Sequence, residues 1–124
     1  MPAPLPIPIT GAADAEAERL DQVFFALSDP VRRAILQRLD QGPLLVSEIA
    51  APFDISLQAV SRHIQVLVRA GLVSQARTGR ISRCSLDAEP LSEAAAWINH
   101  YAKYWQGQFE ALANHLIALE REKP

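Results

Sequence analysis

Apolar residues recur along this chain at helical spacing over most of its length, and change rhythm in one short stretch past the middle. Ala13, Ala17, Leu20, Phe24 and Leu27 fall three or four apart, with Glu16, Glu18 and Arg19 between them. The pattern predicts a first helix over about Asp14 to Leu27 with one apolar face. Ser28 or Asp29 can cap a second helix, and Pro30 suits its first turn, where a missing N–H costs nothing. That helix carries Ile35, Leu36 and Leu39 and ends near Gly42-Pro43. A short third helix is expected over about Val46 to Phe53. Ser56 then caps a fourth, which runs to about Ala70 and stops at Gly71. Leu72 to Arg77 and Ile81 to Leu86 read as two short strands, joined through Thr78-Gly79-Arg80 into a hairpin with glycine in its turn. Pro90 opens a long last helix that reaches about Glu120, with Gly107 as its weak point.

Two short helices followed by a hairpin make a winged helix-turn-helix: mainly α, about five helices, one small β-hairpin. Residues 1–12 stand apart. Pro2, Pro4, Pro6 and Pro8 alternate with small or apolar residues, which removes backbone donors and favours an extended, flexible arm. Residues 13–124 are then expected to form one winged-helix domain.

The fourth helix carries the functional signal. At about 100° per residue, Val60, Ile64 and Leu67 lie within about 40° of one direction and face the core. Gln58, Arg62, Gln65 and Arg69 fall on the opposite side as a polar, long-armed stripe. Such a stripe suits a major groove about 12 Å wide, where Gln pairs with adenine and Arg with guanine. Ser61 lies on its flank, within reach of a base or a phosphate. His63, about 60° from the core direction, stands where a half-buried packing residue is commoner than a base reader; with Ser56 it completes the candidate DNA-facing set. On the hairpin, Arg77, Thr78, Arg80 and Arg83 cluster about the glycine turn and suit backbone or minor-groove contact. Edge-strand protection is the other use of such charges.

Charge sharpens this picture. The chain's net charge of −2 would argue against a nucleic-acid partner, but Ile55 to Leu86 holds five arginines and no Asp or Glu, so that segment carries +5 and the remainder −7. At 124 residues and 49% apolar the chain can bury a core. It has neither an eighteen-residue uncharged apolar run nor a signal-like start, and a single cysteine, Cys84, which fits the cytoplasm. No glycine-rich phosphate loop or paired carboxylates mark an enzyme, and Cys84 has no histidine near it in sequence. The competing reading is a winged-helix module that binds protein or RNA; the carboxylate-free basic segment favours double-stranded DNA.

The run Leu27-Ser28-Asp29-Pro30-Val31-Arg32-Arg33-Ala34-Ile35-Leu36, then Ala59-Val60-Ser61-Arg62-His63-Ile64 and Ala70-Gly71-Leu72-Val73, resembles the ArsR/SmtB family of bacterial winged-helix repressors over about residues 15 to 120. The resemblance implies a homodimer with DNA read by the fourth helix and flanked by the wings; two-fold symmetry in such a dimer would make the operator an inverted repeat. It also raises metal sensing, which the residues do not carry over. The family's thiolate site would fall on Leu45 and Ser47, and its zinc site on Asn99, His100, His115 and Ala118. Neither set supplies the ligands, so no metal and no cofactor are expected.

The last helix carries Leu91, Ile98, Tyr101, Trp105, Phe109, Leu112, Leu116 and Leu119 at steps of three, four and seven. This seam is wide enough to bury against a partner chain, with Leu20 and Phe24 of the first helix alongside it. An apolar small-molecule effector would find its lining in Trp97, Tyr101, Tyr104 and Trp105, although an aromatic stripe is more often packing.

Overall fold

A computed structural model describes residues 11–122, with side chains from Asp14 onward. The helices are α1 (Gly11–Leu27), α2 (Pro30–Leu39), α3 (Val46–Ala50), α4 (Leu57–Arg69), α5 (Glu89–Asn99) and α6 (Gln106–Glu122); the strands are β1 (Leu44–Leu45), β2 (Val73–Thr78) and β3 (Ile81–Leu86). The proline-rich arm expected at 1–12 lies outside the described residues, except that α1 already begins at Gly11. The described residues fall into two compact units divided after Ala94.

The first unit is built on local signals. The Asp29 carboxylate accepts from the N–H groups of Val31 and Arg32 at 2.8 and 3.1 Å, satisfying two donors that the first turn of α2 leaves open. Burial alone would raise this carboxyl's pKa. The amides of Arg32 and Val31, with the Arg32 guanidinium nearby, outweigh it and hold the group below the usual carboxylate range. Asp29→Ala should therefore cost about 1 kcal/mol in urea unfolding at neutral pH. Because the folded-state pKa is depressed, that contribution is present above the ordinary carboxylate pKa and fades as the pH falls below it. Asp29→Asn, which still caps, should flatten the pH dependence while keeping most of the stability.

Ser56 Oγ likewise accepts from Ala59 N at 3.0 Å to start α4. At its other end Leu72 N bonds Leu67 O and Gly71 N bonds Val68 O, both at 3.0 Å, with Gly71 at φ +77°. This is a Schellman stop, and Leu67 and Leu72 are both fully buried beneath it. Ile35 and Leu39 of α2, Ile49 of α3, Val60 and Ile64 of α4, and Val23 and Ala26 of α1 complete the core with Val73 and Cys84 at the base of the sheet.

The sheet has three antiparallel strands in the order β1-β3-β2, one more than the expected hairpin. β1 pairs Leu44 with Cys84 and Leu45 with Arg83, and is too short to leave a periodic signal. β2 and β3 pair from Val73↔Leu86 to Thr78↔Ile81, leaving Gly79-Arg80 as a two-residue turn. Gly79 has φ +62°, as the first position of a Gly-X hairpin turn requires. Beyond Val73 every residue of β2 is exposed, so the hairpin projects.

The expected long last helix is broken. α5 ends at Asn99, Ala102–Tyr104 form a 3-10 turn, and α6 begins at Gln106, which gives six α-helices among the described residues. The break falls in Asn99-His100-Tyr101-Ala102-Lys103-Tyr104-Trp105, ahead of Gly107, where most residues lie low in helix propensity. Tightened i→i+3 bonds, Tyr101 N to Ile98 O and Tyr104 N to Tyr101 O, both 3.0 Å, replace the α ladder. Ring packing fixes the turn. Tyr101 meets Trp97 at 5.3 Å, His100 edge-on at 5.1 Å and Tyr104 in a stack at 6.4 Å.

Candidate nucleic-acid interface

Burial sorts α4 into two faces. Val60, Ile64 and Leu67 are buried, while Gln58, Arg62, Gln65 and Arg69 are exposed and Ser61 is half-buried on the flank. The stripe is not uniform. Gln65 Nε2 donates to Gln75 Oε1 of β2 at 3.1 Å, and Gln75 Nε2 donates to Ser82 Oγ of β3 at 2.8 Å. This relay joins the groove helix to the wing. Arg69, at the far end, lines a hollow of about 320 Å³ with Glu18, Asp21, Gln22 and Phe25 of α1, among carboxylates and away from Gln58.

The register of the wing separates its arginines. Gln75↔Cys84 and Arg77↔Ser82 are cross-strand pairs on one face, the face that bonds α4, whereas Ala76↔Arg83 and Thr78↔Ile81 lie on the other. Arg77 therefore shares a face with the relay to α4. Arg80 sits in the turn itself, and Arg83 points away on the opposite face beside Leu45. All of Arg77, Thr78, Arg80 and Arg83 are exposed.

Arg32 is the residue the sequence reading passed over. Only 7% exposed, it donates from Nε to Ala26 O at 2.8 Å and from Nη2 to Phe25 O at 2.9 Å, with its guanidinium 5.0 Å from the Phe25 ring centroid. Its Nη1 lies 3.2 Å from His63 Nδ1. One side chain thus ties the end of α1 and the start of α2 to the groove helix. A signal was available: Arg32 stands three, four and seven residues before Ile35, Leu36 and Leu39, on the core face of α2. Arg38 does similar work for α3, donating to Glu48 O and Ile49 O.

Of the residues read as a dimer seam, Leu20, Phe24 and Leu91 pack partly buried against the first unit's core. Ile98, Tyr101, Phe109, Leu112 and Leu116 stand exposed, and Trp105 is half-buried. Of the rings expected to line an effector site, Trp97 and Tyr104 each pack on Tyr101, and the open hollow beside Trp105 is lined by Asn99, His100, Lys103 and Gln106 along with Phe109. It offers an apolar effector no enclosed apolar site. His100 and His115 are exposed, Cys84 is buried with its thiol pKa pushed up by burial, and no three His, Cys, Asp or Glu among the described residues gather as metal ligands. None of the described helices is long and apolar enough to cross a membrane.

A helix-turn-helix whose second helix exposes a carboxylate-free polar face, bonded to a projecting antiparallel wing, defines the class: this is a winged helix-turn-helix protein. Comparison with known proteins narrows it. Residues 27–76 match a family described as a helix-turn-helix domain. The chain is 34% identical to the transcriptional repressor SdpR of Bacillus subtilis over 82 residues, 66% of this chain and 91% of that protein. A crystal structure of an ArsR family transcriptional regulator aligns at TM-score 0.68 and 39% identity, covering 73% of this chain and 93% of that one. A homodimeric winged helix-turn-helix DNA-binding domain from Mycobacterium bovis shares the fold at TM-score 0.60 and 24% identity, over 78% of this chain and 92% of its own. The chain belongs to the ArsR/SmtB family of transcriptional regulators.

Proposed function

We propose that this protein is a homodimeric repressor that binds an inverted-repeat operator, with α4 in the major groove of each half-site and the β2–β3 wing against the adjacent backbone. The observation that carries this reading is the face of α4 from Gln58 to Gln65, exposed and free of carboxylates, beside a wing exposed on both sides. Gln58 and Arg62 read bases. Gln65, engaged with Gln75, orients the wing as much as it reads. Two-fold symmetry in the protein imposes two-fold symmetry on the site, with half-sites about one helical turn or a multiple apart.

Selection of bound duplexes from random-sequence DNA by the purified protein should return such an inverted repeat; recovery of no preferred sequence would overturn the reading in favour of a protein- or RNA-binding module. Arg80, in the wing turn, should act through the backbone alone. Arg80→Ala is expected to weaken operator and unrelated duplex alike and to lower the slope of log K against log salt by about 1. Loss of sequence preference in that variant would instead place Arg80 on a base edge.

A further inference from the structure

The contact between Arg32 and His63 fixes more than packing. A guanidinium only donates hydrogen bonds, so His63 Nδ1, 3.2 Å from Arg32 Nη1, is the acceptor. A neutral imidazole that accepts at Nδ1 carries its one proton on Nε2. Arg32 cannot easily turn away, since its Nε and Nη2 are committed to Ala26 O and Phe25 O in a buried setting. The other charged group facing the ring, Asp29, lies with Oδ2 3.8 Å from Nδ1 and is already shared by two α2 amides.

The other end of the ring is open. Among the described residues Nε2 has no bonded partner, while no buried side-chain nitrogen or oxygen is left unpartnered, so Nε2 reaches solvent. The side chain is 23% exposed. By helical phase it sits on the flank of α4, between the buried line through Ile64 and the exposed stripe through Arg62. When a helix lies in the major groove, its flanks face the sugar-phosphate walls.

We propose that His63 donates its Nε2–H to a backbone phosphate at the edge of the groove, as a neutral donor whose tautomer is held by Arg32. The proposal rests on the operator-binding reading and adds to it a contact of a different kind from the arginines. A neutral donor displaces no counterion, so it contributes affinity without salt dependence and without base preference. It also sets the rotation of α4 in the groove, because Arg32 anchors the same ring to α1 and α2.

The test uses the full chain and its selected operator. In the free protein, long-range proton–nitrogen correlation of the His63 ring should show the Nε2–H form; a protonated Nδ1 in the neutral ring would overturn the proposal. His63→Ala and His63→Asn should bind operator and unrelated duplex about tenfold more weakly, with preference and salt slope unchanged. His63→Gln, whose amide nitrogen falls near the place of Nε2, should recover most of the loss. A series of operators carrying one neutral methylphosphonate each, at phosphates flanking the half-site, keeps the question independent of the variants' stability. One such substitution should weaken the wild-type protein and leave His63→Ala unaffected. Wild-type affinity in His63→Ala, or no phosphate coupled to residue 63, would overturn the role of the histidine alone. Failure of the wild-type protein to bind any duplex would overturn the operator reading itself.

Discussion

Arg62→Ala is expected to lower operator affinity roughly 5- to 150-fold, the equivalent of about 1 to 3 kcal/mol for one lost bidentate base contact, and to relax preference at a single position of each half-site. Arg62 is exposed, lies directly opposite the Val60–Ile64–Leu67 line and bonds no other side chain among the described residues, so its guanidinium is free to meet a base edge. Gln58→Ala should relax a different position by a similar amount, since it stands one helical turn earlier on the same face. A phosphate contact would behave otherwise, weakening all duplexes together and changing the salt slope. Binding measured on the operator and on every single-base variant of one half-site separates the two. If both variants keep wild-type affinity and preference, α4 does not read the groove through this face.

Where function rests on local chemistry, the sequence was legible. The caps Asp29 and Ser56, the glycine stop after α4 and the glycine turn of the wing are each set by residues within a few positions of one another, and the structure has them where spacing and residue type place them. Long-range pairing was not legible. β1 exists only because Leu44 and Leu45 meet Arg83 and Cys84, some forty residues on, and two residues carry no period. The stripe on α4 could be read as a stripe, but spacing alone could not show that Gln65 is drawn toward Gln75, or that Arg69 stands among the acidic residues of α1. The three wing arginines likewise look equivalent until the register divides them. The break near Tyr101 was hidden by apolar spacing that continues in phase across it, from Ile98 to Phe109, although the low helix propensity of the intervening residues was present in the sequence.

The apolar face of α6 bears on assembly, and Leu112→Glu is expected to convert the protein to a monomer. α6 is a 17-residue helix with no buried residue, and Phe109, Leu112, Leu116 and Leu119 form one exposed stripe along it. Isolated helices of about this length are marginal in water, so a stripe of this kind is stabilised by what covers it. In the proposed homodimer, a second copy would present the same stripe to the first across a two-fold axis, which is the arrangement an inverted-repeat operator requires. A carboxylate at 112 would then be buried, unpaired, once in each subunit, at a desolvation cost of several kcal/mol per ion. Operator binding should fall by a further factor of 10² or more, because the second half-site would no longer be held at high effective concentration by the first. Asn114→Glu serves as the control: it adds the same charge to the same helix about 160° away from Leu112, and should remain dimeric. Sedimentation equilibrium of the two variants beside the wild-type protein decides the matter. A dimeric Leu112→Glu with wild-type operator affinity would place the interface on a surface other than α6.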